Sequence, residues 1–422
     1  MKDRIIFHSD INHCYAQIEE MKYPELRLVP MAVGGHEETR HGIILAKNDL
    51  AKAKGVKTGE SLREAYEKCP DLLIIPPAYK DYEYYTDAVK DIYREYSDHV
   101  ESFGLDEAWI DYTDSEKLFG PAYGTAAEIQ KRVLEELGLT VSIGISWNKI
   151  FAKLGSDLIK PSGLVDIRRD NFREVVWPLP VSELLYVGPA TYRKLHRRGI
   201  LTIGELAQYP VQNLKRYLGV PGEVIHAFAN GDDTSPVTHT EHFRQVKSVG
   251  NSMTLVHDVY SLEEADPVFY MLSESVASRL RGHGLEGDVV HVSLRTADMN
   301  WYGWERKISR RTYVSMEIHD AAVGILRQNY DFHDAVRAVG ISLSHLSAAG
   351  RFRQADLFTP FKTYEQALAA DLAMDDLRRR FGFDSVKRAC TIVDRELTDF
   401  NVKDDHTIHP VGYFQGRKMD VL

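Results

Sequence analysis

Three carboxylates occur where the surrounding sequence is too apolar to leave them uncompensated. Asp106 and Glu107 are adjacent within Ser102 to Tyr112, SFGLDEAWIDY, an apolar and aromatic run that reads as strand. Asp10 ends a second apolar run, which starts at Ile5. Burying carboxylates in this way costs on the order of several kcal/mol unless a cation compensates them. Oxygen donors at the ends of core strands suit Mg²⁺, and Mg²⁺ suits phosphate chemistry. Lysines further along the chain fit the same chemistry. Lys149 and Lys153 lie one helical turn apart, and Lys160 comes just before a Pro-Ser-Gly turn. Amines at this spacing can pair with the phosphates of a nucleotide or a template.

The elements that position these groups follow from periodicity. Arg4 to Ser9 predicts a buried strand, and His41 to Leu45, Leu72 to Ile75 and Thr140 to Ser146 predict others. Tyr82 to Tyr96 and Thr125 to Leu137 have helical spacing. Asn148 can cap a helix that must end before Pro161. The first ~165 residues thus alternate strand and helix, as an α/β or α+β domain does. Short helices and Gly/Pro turns follow, and Gly231 to Thr240 is polar and linker-like. Beyond about Glu241 the period is again that of strands, with two helical stretches between them.

Bulk properties narrow the class. A chain of 422 residues should hold more than one domain. No apolar run is long enough to span a membrane, and the N-terminus turns charged too early for a signal peptide. Three scattered cysteines without a CxxC pair indicate neither a disulfide framework nor a zinc site. A cytoplasmic location is the default expectation. The net charge of −10 argues mildly against nucleic acid, so local basic clusters decide more than the total. Two such clusters stand out. Leu179 to Ala207 reads as a helix-hairpin-helix turning at Val187-Gly188-Pro189, with Arg193, Lys194, Arg197 and Arg198 on its second helix. Such a turn aims backbone N–H groups at a phosphate. Arg306, Lys307, Arg310 and Arg311 lie in a strand-like segment, and Gly340, Ser342 and Ser344 would let a backbone approach the same sheet.

These segments carry a resemblance. Ser142 to Gly163, SIGISWNKIFAKLGSDLIKPSG, resembles the SxGIxxNKxxAKxASDxxKPxG-like signature of the Y-family (translesion) DNA polymerases. SFGLDEAWID resembles that family's S-[IF]-DEA-x-x-D palm motif, with Gly104 in place of the usual Ser. HSDINHCYAQIEE, His8 to Glu20, resembles its HxDMDxFFAxVE motif. The resemblance extends to about Ser347 and is nearest the DNA polymerase IV-like bacterial branch.

The resemblance implies an α+β right-hand polymerase. Its palm would be 1–12 and 78–165, its fingers 13–77 and its thumb 166–232. A little-finger β-sheet domain would span 241–350, and 351–422 would hold a clamp-binding peptide and tail. The implied reaction is template-directed addition of dNTPs to a primer 3′ end, with low fidelity, across damaged templates. Asp10, Asp106 and Glu107 would be catalytic, and with the carbonyl of Ile11 they would hold two Mg²⁺ ions, for which Mn²⁺ can substitute. Asn12, His13, Cys14, Tyr15, Lys47, Lys52 and Lys160 would bind the dNTP, with Tyr15 as the steric gate against a 2′-OH. Gly188, Arg193, Lys247, Arg306 and Arg310 would bind DNA. Gln354, Leu357 and Phe358 resemble a QxxLF-type peptide that grips the bacterial sliding clamp. The fingers depart from the family, which commonly has Tyr and Arg at Asp49 and Lys52, and Asn12 replaces a usual acid. A nucleotide cyclase and a catalytically impaired, clamp-tethered DNA-binding protein are the rival readings.

Overall fold

The computed structural model describes residues 3–35, 42–240, 246–350 and 361–398. One compact unit comprises 3–35 and 43–240, and a second comprises 246–350 and 361–398. Among the described residues no helix is long and apolar enough to cross a membrane.

The first unit begins with β1 (Ile6–Ile11), α1 (Cys14–Lys22), β2 (Met31–Gly34), β3 (Ile44–Lys47), α2 (Asp49–Ala53), α3 (Leu62–Lys68) and β4 (Leu73–Ile75). It continues with α4 (Tyr79–Arg94), β5 (Val100–Phe103), β6 (Glu107–Asp111), α5 (Glu116–Phe119), α6 (Ala122–Leu137), β7 (Val141–Ser146), α7 (Lys149–Leu158) and β8 (Leu164–Asp166). Five strands form a sheet in the order β5-β6-β1-β7-β8, and β2 lies between β3 and β4 in a smaller one. The carboxylate-bearing run Ser102 to Tyr112, expected as one strand, is a hairpin of β5 and β6. Gly104, at a φ of +82°, adopts the left-handed backbone that breaks the run and places Asp106 in the turn.

Alternation along β1 sorts its side chains. Phe7 and Ile11 join the core shared with α4 and α6, and Ser9 bonds Tyr93 of α4 at 2.7 Å. Ile6, His8 and Asp10 point the other way, toward α7 and the residues just after it. Glycine lets α7 lie against the sheet. A Cβ on Gly144 would fall 2.0 Å from the Ala152 carbonyl oxygen and 2.8 Å from the backbone of Gly155. Asn148 caps α7 as its type predicts, accepting from the Phe151 N–H at 2.8 Å.

Five further helices, α8 (Phe172–Val175), α9 (Pro189–His196), α10 (Ile203–Gln208), α11 (Val211–Leu218) and α12 (Val220–Ala229), enclose a second apolar core with the inner side of α7. The expected first helix of the hairpin is only a 3-10 turn, Val181–Glu183, which ends where the Leu184 backbone becomes extended. The chain leaving this bundle is tied down to the five-stranded sheet. Arg4 donates to the carbonyls of Ser235 and Asp233, and Glu101 accepts from both the N–H and the hydroxyl of Thr238.

The second unit contains β9 (Ser248–Val259), α13 (Leu262–Gly282), β10 (Leu285–Thr296), β11 (Trp301–Thr312), α14 (Ser315–Asn329), β12 (Val336–Ser344), β13 (Ser347–Ala348), α15 (Phe361–Phe381) and α16 (Arg395–Thr398). Its antiparallel sheet runs β11-β10-β12-β9, and one apolar core joins it to α13 and α14. The tail belongs to this unit. Asp371 of α15 is buried and accepts from Arg281, Arg388 and the N–H of Ser315, while Glu274 of α13 holds Arg378 and Arg388. A carboxylate so thoroughly satisfied can be buried without loss.

The most demanding charge in the first unit is Lys149, whose side chain is 0% exposed. Its ammonium lies 2.7 Å from Glu101, itself 4% exposed, and 4.3 Å from the centre of the Trp109 ring. Glu101→Ala should therefore destabilise this unit by about 3–5 kcal/mol, since it strands a buried cation. Adding Lys149→Met should restore a large part. Urea unfolding of both variants checks this, and an unchanged midpoint for Glu101→Ala would contradict it.

Candidate active site

The register of β1 and β6 assembles the carboxylates. Asp10 lies directly opposite Glu107, and the Ile11 N–H donates to the Asp106 carbonyl at 3.1 Å. All three acids thus crowd one end of the five-stranded sheet. Asp10 is 7% exposed, and burial, with Glu107 next in weight, raises its pKa from 3.8 to about 6. Burial and Glu107 likewise push Asp106 up, and burial pushes Glu107 up against the opposing pull of Lys153.

Amines stand over these acids. Lys153 of α7 pairs with Glu107, and Lys160 contacts Asp10 at 2.8 Å. Asp157 bridges the two lysines at 3.7 and 2.9 Å. Sequence reading missed Asp157, although its positions, four after Lys153 and three before Lys160, are those of helical ion pairs. Lys149 does not join this group. The expectation that it meets phosphate is corrected by its complete burial against Glu101. Among the described residues no three His, Cys, Asp or Glu side chains converge as a preformed metal cage. The donor set nonetheless fits a divalent cation. Like charges that raise one another's pKa are stabilised by an added cation, and the lysines supply part of that compensation here.

The predicted nucleotide contacts divide. Tyr15 is half-buried, stacked 4.3 Å from Tyr82 and edge-on to Tyr79 at 6.1 Å. The Tyr82 hydroxyl donates to Glu19 at 2.7 Å, so the Tyr15 ring rests on a fixed base. The helical spacing of Tyr79 and Tyr82 in YKDYEYY is the signal that could have found this support. His13 has left-handed backbone, φ 34°, and its imidazole lies 3.7 Å from Glu20. Cys14 and Asn12 are corrections. Cys14 is 4% exposed and packs in the core between sheet and helices, with its thiol pushed up by burial and by Asp106. The Asn12 side chain turns inward, donating to Thr140 and accepting from Ser142 at 2.8 Å. Both therefore support the site from beneath rather than line its open surface.

In the smaller sheet Lys47 donates to Thr58 at 3.1 Å, and burial together with nearby Lys52 lowers its pKa. Among the described residues neither Lys47 nor Lys52 has an ion-pair partner. Asp49 opens α2 exposed, where a carboxylate complements the helix N-terminus.

Of the predicted DNA contacts, Gly188 caps α9 in open surroundings and Arg193 is exposed on that helix. Lys247 is exposed ahead of β9. Arg306 and Arg310 are corrections, because alternation along β11 turns both toward the helices. Arg306 bonds Gln328 of α14 at 2.5 Å, and Arg310 pairs with Glu317 and lies over the Tyr364 ring. The other face of β11 presents Lys307, Ser309 and Arg311. Gln354, Leu357 and Phe358 lie outside the described residues.

Comparison with known proteins gives consistent matches along the chain. The impB/mucB/samB family model matches residues 9–157, and the model of that family's C-terminal domain matches residues 246–357. A DNA polymerase IV of Acetivibrio thermocellus is 41% identical over 394 residues, covering 93% of this chain and 99% of that protein. DNA polymerase IV 2 of Bacillus subtilis is 35% identical over 399 residues, covering 93% and 95%. Among solved structures, a Dbh–Dpo4 Y-family DNA polymerase chimera aligns with a TM-score of 0.72 at 22% identity, over 81% of this chain and 98% of that one. That likeness concerns the fold.

The crowding of acids has a measurable consequence. Asp10 has a higher pKa folded than unfolded, so folding favours its protonated form. Its contribution is fully present below pH 3.8 and is lost as pH rises through about 6. Without divalent metal, Asp10→Asn should therefore gain on the order of 3 kcal/mol over the wild type between pH 4 and pH 8. Urea unfolding in EDTA across that range checks it, and parallel pH curves for the two proteins would contradict it.

Proposed function

Since this chain belongs to the Y family of DNA polymerases, in its DNA polymerase IV-like branch, we propose how its own residues divide the work of nucleotidyl transfer. The enzyme is a translesion DNA polymerase that extends a primer 3′ end on a template with dNTPs. Its family generally uses divalent metal ions. The rival readings, a cyclase and a non-catalytic DNA-binding protein, are not favoured by relatives that match it over nearly their full length.

The opposition of Asp10 and Glu107 across β1 and β6, with Asp106 in the adjoining turn, carries the assignment. Asp10, Asp106 and the Ile11 carbonyl would hold two ions, with Glu107 completing the site at the primer end. Two Mg²⁺ ions there, or Mn²⁺ in their place, would make the primer hydroxyl easier to deprotonate and stabilise the departing pyrophosphate. Lys160 keeps about a third of its side chain exposed, at 32%, and would turn from Asp10 toward the triphosphate. Lys47 and Lys52 would meet the same phosphates from the fingers, two point charges in place of a tyrosine hydroxyl and an arginine fork. Tyr15, braced by Tyr82, would exclude the ribose 2′-OH.

On this reading the five-stranded sheet with α4, α6 and α7 is the palm. The small sheet with α2 and α3 forms the fingers, α8 to α12 the thumb, and the second unit the little finger. The thumb would hold backbone phosphates at Gly188 and Arg193. The little finger would do so with Lys247, Lys307 and Arg311 rather than Arg306 and Arg310. A sliding clamp as partner is supported by the sequence Gln354 to Phe358 alone, whose Leu357 and Phe358 would fill an apolar pocket.

Primer extension with Mg²⁺ on plain and damaged templates tests the assignment. Asp106→Ala should abolish extension while leaving DNA binding within about two-fold, because the acid would hold the ions at the reacting phosphates rather than the duplex. Near-normal extension would remove Asp106 from the site. Tyr15→Ala should admit ribonucleotides, with dNTP-over-NTP selectivity falling by about ten-fold or more for a lost contact of about 1.4 kcal/mol. Unchanged selectivity would exclude Tyr15 as the gate.

A further inference from the structure

We propose that His8, itself fixed by Ser156, is a positioning residue that holds one oxygen of Glu107 and so presents the other to the metal site. The inference rests on the metal role assigned to Glu107 above.

His8 follows from the strand period. Two residues before Asp10 on β1, it shares Asp10's face and is a diagonal neighbour of Glu107 across the β1–β6 pair. It is 0% exposed, with its ring edge-on to Trp109 at 5.2 Å. Its Nδ1 lies 2.8 Å from Ser156 Oγ, and its Nε2 lies 3.1 Å from Glu107 Oε2. The Nε2 contact is close but not aligned as a formed hydrogen bond, so this buried nitrogen remains unsatisfied. Lys153 reaches the same Oε2, and Oε1 makes no hydrogen bond among the described residues.

The tautomer can be argued from the neighbours. Ser156 Oγ lies 2.8 Å from both His8 Nδ1 and the Lys153 carbonyl, and it has one proton to give. If that proton goes to the carbonyl, Nδ1 must donate to Oγ and Nε2 is bare. A bare nitrogen lone pair 3.1 Å from a carboxylate oxygen is repulsive. If Ser156 donates to Nδ1 instead, Nε2 carries the hydrogen and faces a carboxylate, which is a charge-assisted arrangement. The second arrangement replaces that repulsion with an attraction between the Nε2 hydrogen and the Glu107 carboxylate. It costs only a serine bond to a helical carbonyl.

This arrangement differs from the lysine contact in one respect. An ammonium on Glu107 competes with a metal for the same negative charge, whereas a neutral imidazole N–H anchors an oxygen and leaves that charge in place. A rotatable Glu side chain is thereby held at Oε2, which leaves Oε1 for a metal ion. Loss of such an outer hydrogen bond typically weakens metal binding 10- to 100-fold by rough precedent.

The experiment uses full-length enzyme with a dideoxy-terminated primer-template and the next dNTP, a complex that cannot turn over. Mn²⁺ binding is read from the electron paramagnetic resonance of the free ion. His8→Phe keeps the ring against Trp109 but lacks the N–H, and should weaken Mn²⁺ binding about ten-fold or more. His8→Gln places an amide N–H near the former Nε2 and should recover most of the affinity. In turnover assays, His8→Phe should need proportionately more Mg²⁺ for half-maximal extension. Its rate at saturating Mg²⁺, DNA affinity and melting temperature should stay near those of the wild type. Wild-type Mn²⁺ binding by a folded His8→Phe would overturn the proposal. Should that variant fail to fold, Ser156→Ala must show the same direction of change, and an unaltered Mn²⁺ affinity there would overturn it equally. Glu107→Gln serves as the control for the underlying reading. If Glu107→Gln binds Mn²⁺ normally, the metal assignment fails rather than the positioning by His8.

Discussion

Like charge confined to one end of a sheet is the constraint on which this structure depends. Asp10 and Glu107 face each other on adjacent strands, and Asp106 sits in the turn between β5 and β6. None of the three can be displaced to solvent without breaking the register that defines the five-stranded sheet. The repulsion must therefore be met by cations brought to it. In the protein alone Lys153 and Lys160 do this, and Asp157 holds the two amines together. A binding site for a divalent ion and a nucleotide triphosphate is the same electrostatic problem with different counter-charges.

The rest of the first unit makes this arrangement tolerable. Helix α7 can bring its lysines over the acids only because Gly144 and Gly155 allow backbone to meet backbone. Its first residue, Lys149, is drawn wholly into the interior by Glu101 and the Trp109 ring. Glu101 also accepts from Thr238, so one buried carboxylate secures both the helix and the chain leaving the helical bundle. Beneath the acids, Asn12, Gln17, Thr140 and Ser142 satisfy one another, which makes the sheet end rigid without adding charge. Rigidity at this point is what a reaction requiring in-line geometry needs.

Much of this was legible before any coordinates. The carboxylates and the Lys149 to Lys160 segment are set by local pattern, because residue type and spacing along one strand or helix decide them, whereas Tyr15 is a gate candidate through the family resemblance alone. The Asn148 cap and the alternation in the second unit's strands follow the same local rules. What failed did so where a side chain's direction depended on a distant element. Arg306 and Arg310 alternate with Lys307 and Arg311 as expected, but which alternate set faces the helices depends on where α14 packs. The tail, without an evident role in the sequence, belongs to the second unit because Asp371 finds Arg281 and Ser315 there, and Glu274 takes Arg378 and Arg388.

The sequence by itself determined the reactive groups of the protein: three acids, a set of amines and an aromatic ring at Tyr15, in an order and spacing that resembles one polymerase family. Tertiary structure alone decided which of those amines are free to act. Lys149, Lys153 and Lys160 look alike in the chain, yet the first is buried against Glu101, the second sits on Glu107 and the third keeps an exposed flank beside Asp10. The reason is physical. Charge and spacing are properties of a residue and its near neighbours, whereas desolvation and pairing depend on atoms that only folding brings within a few ångströms.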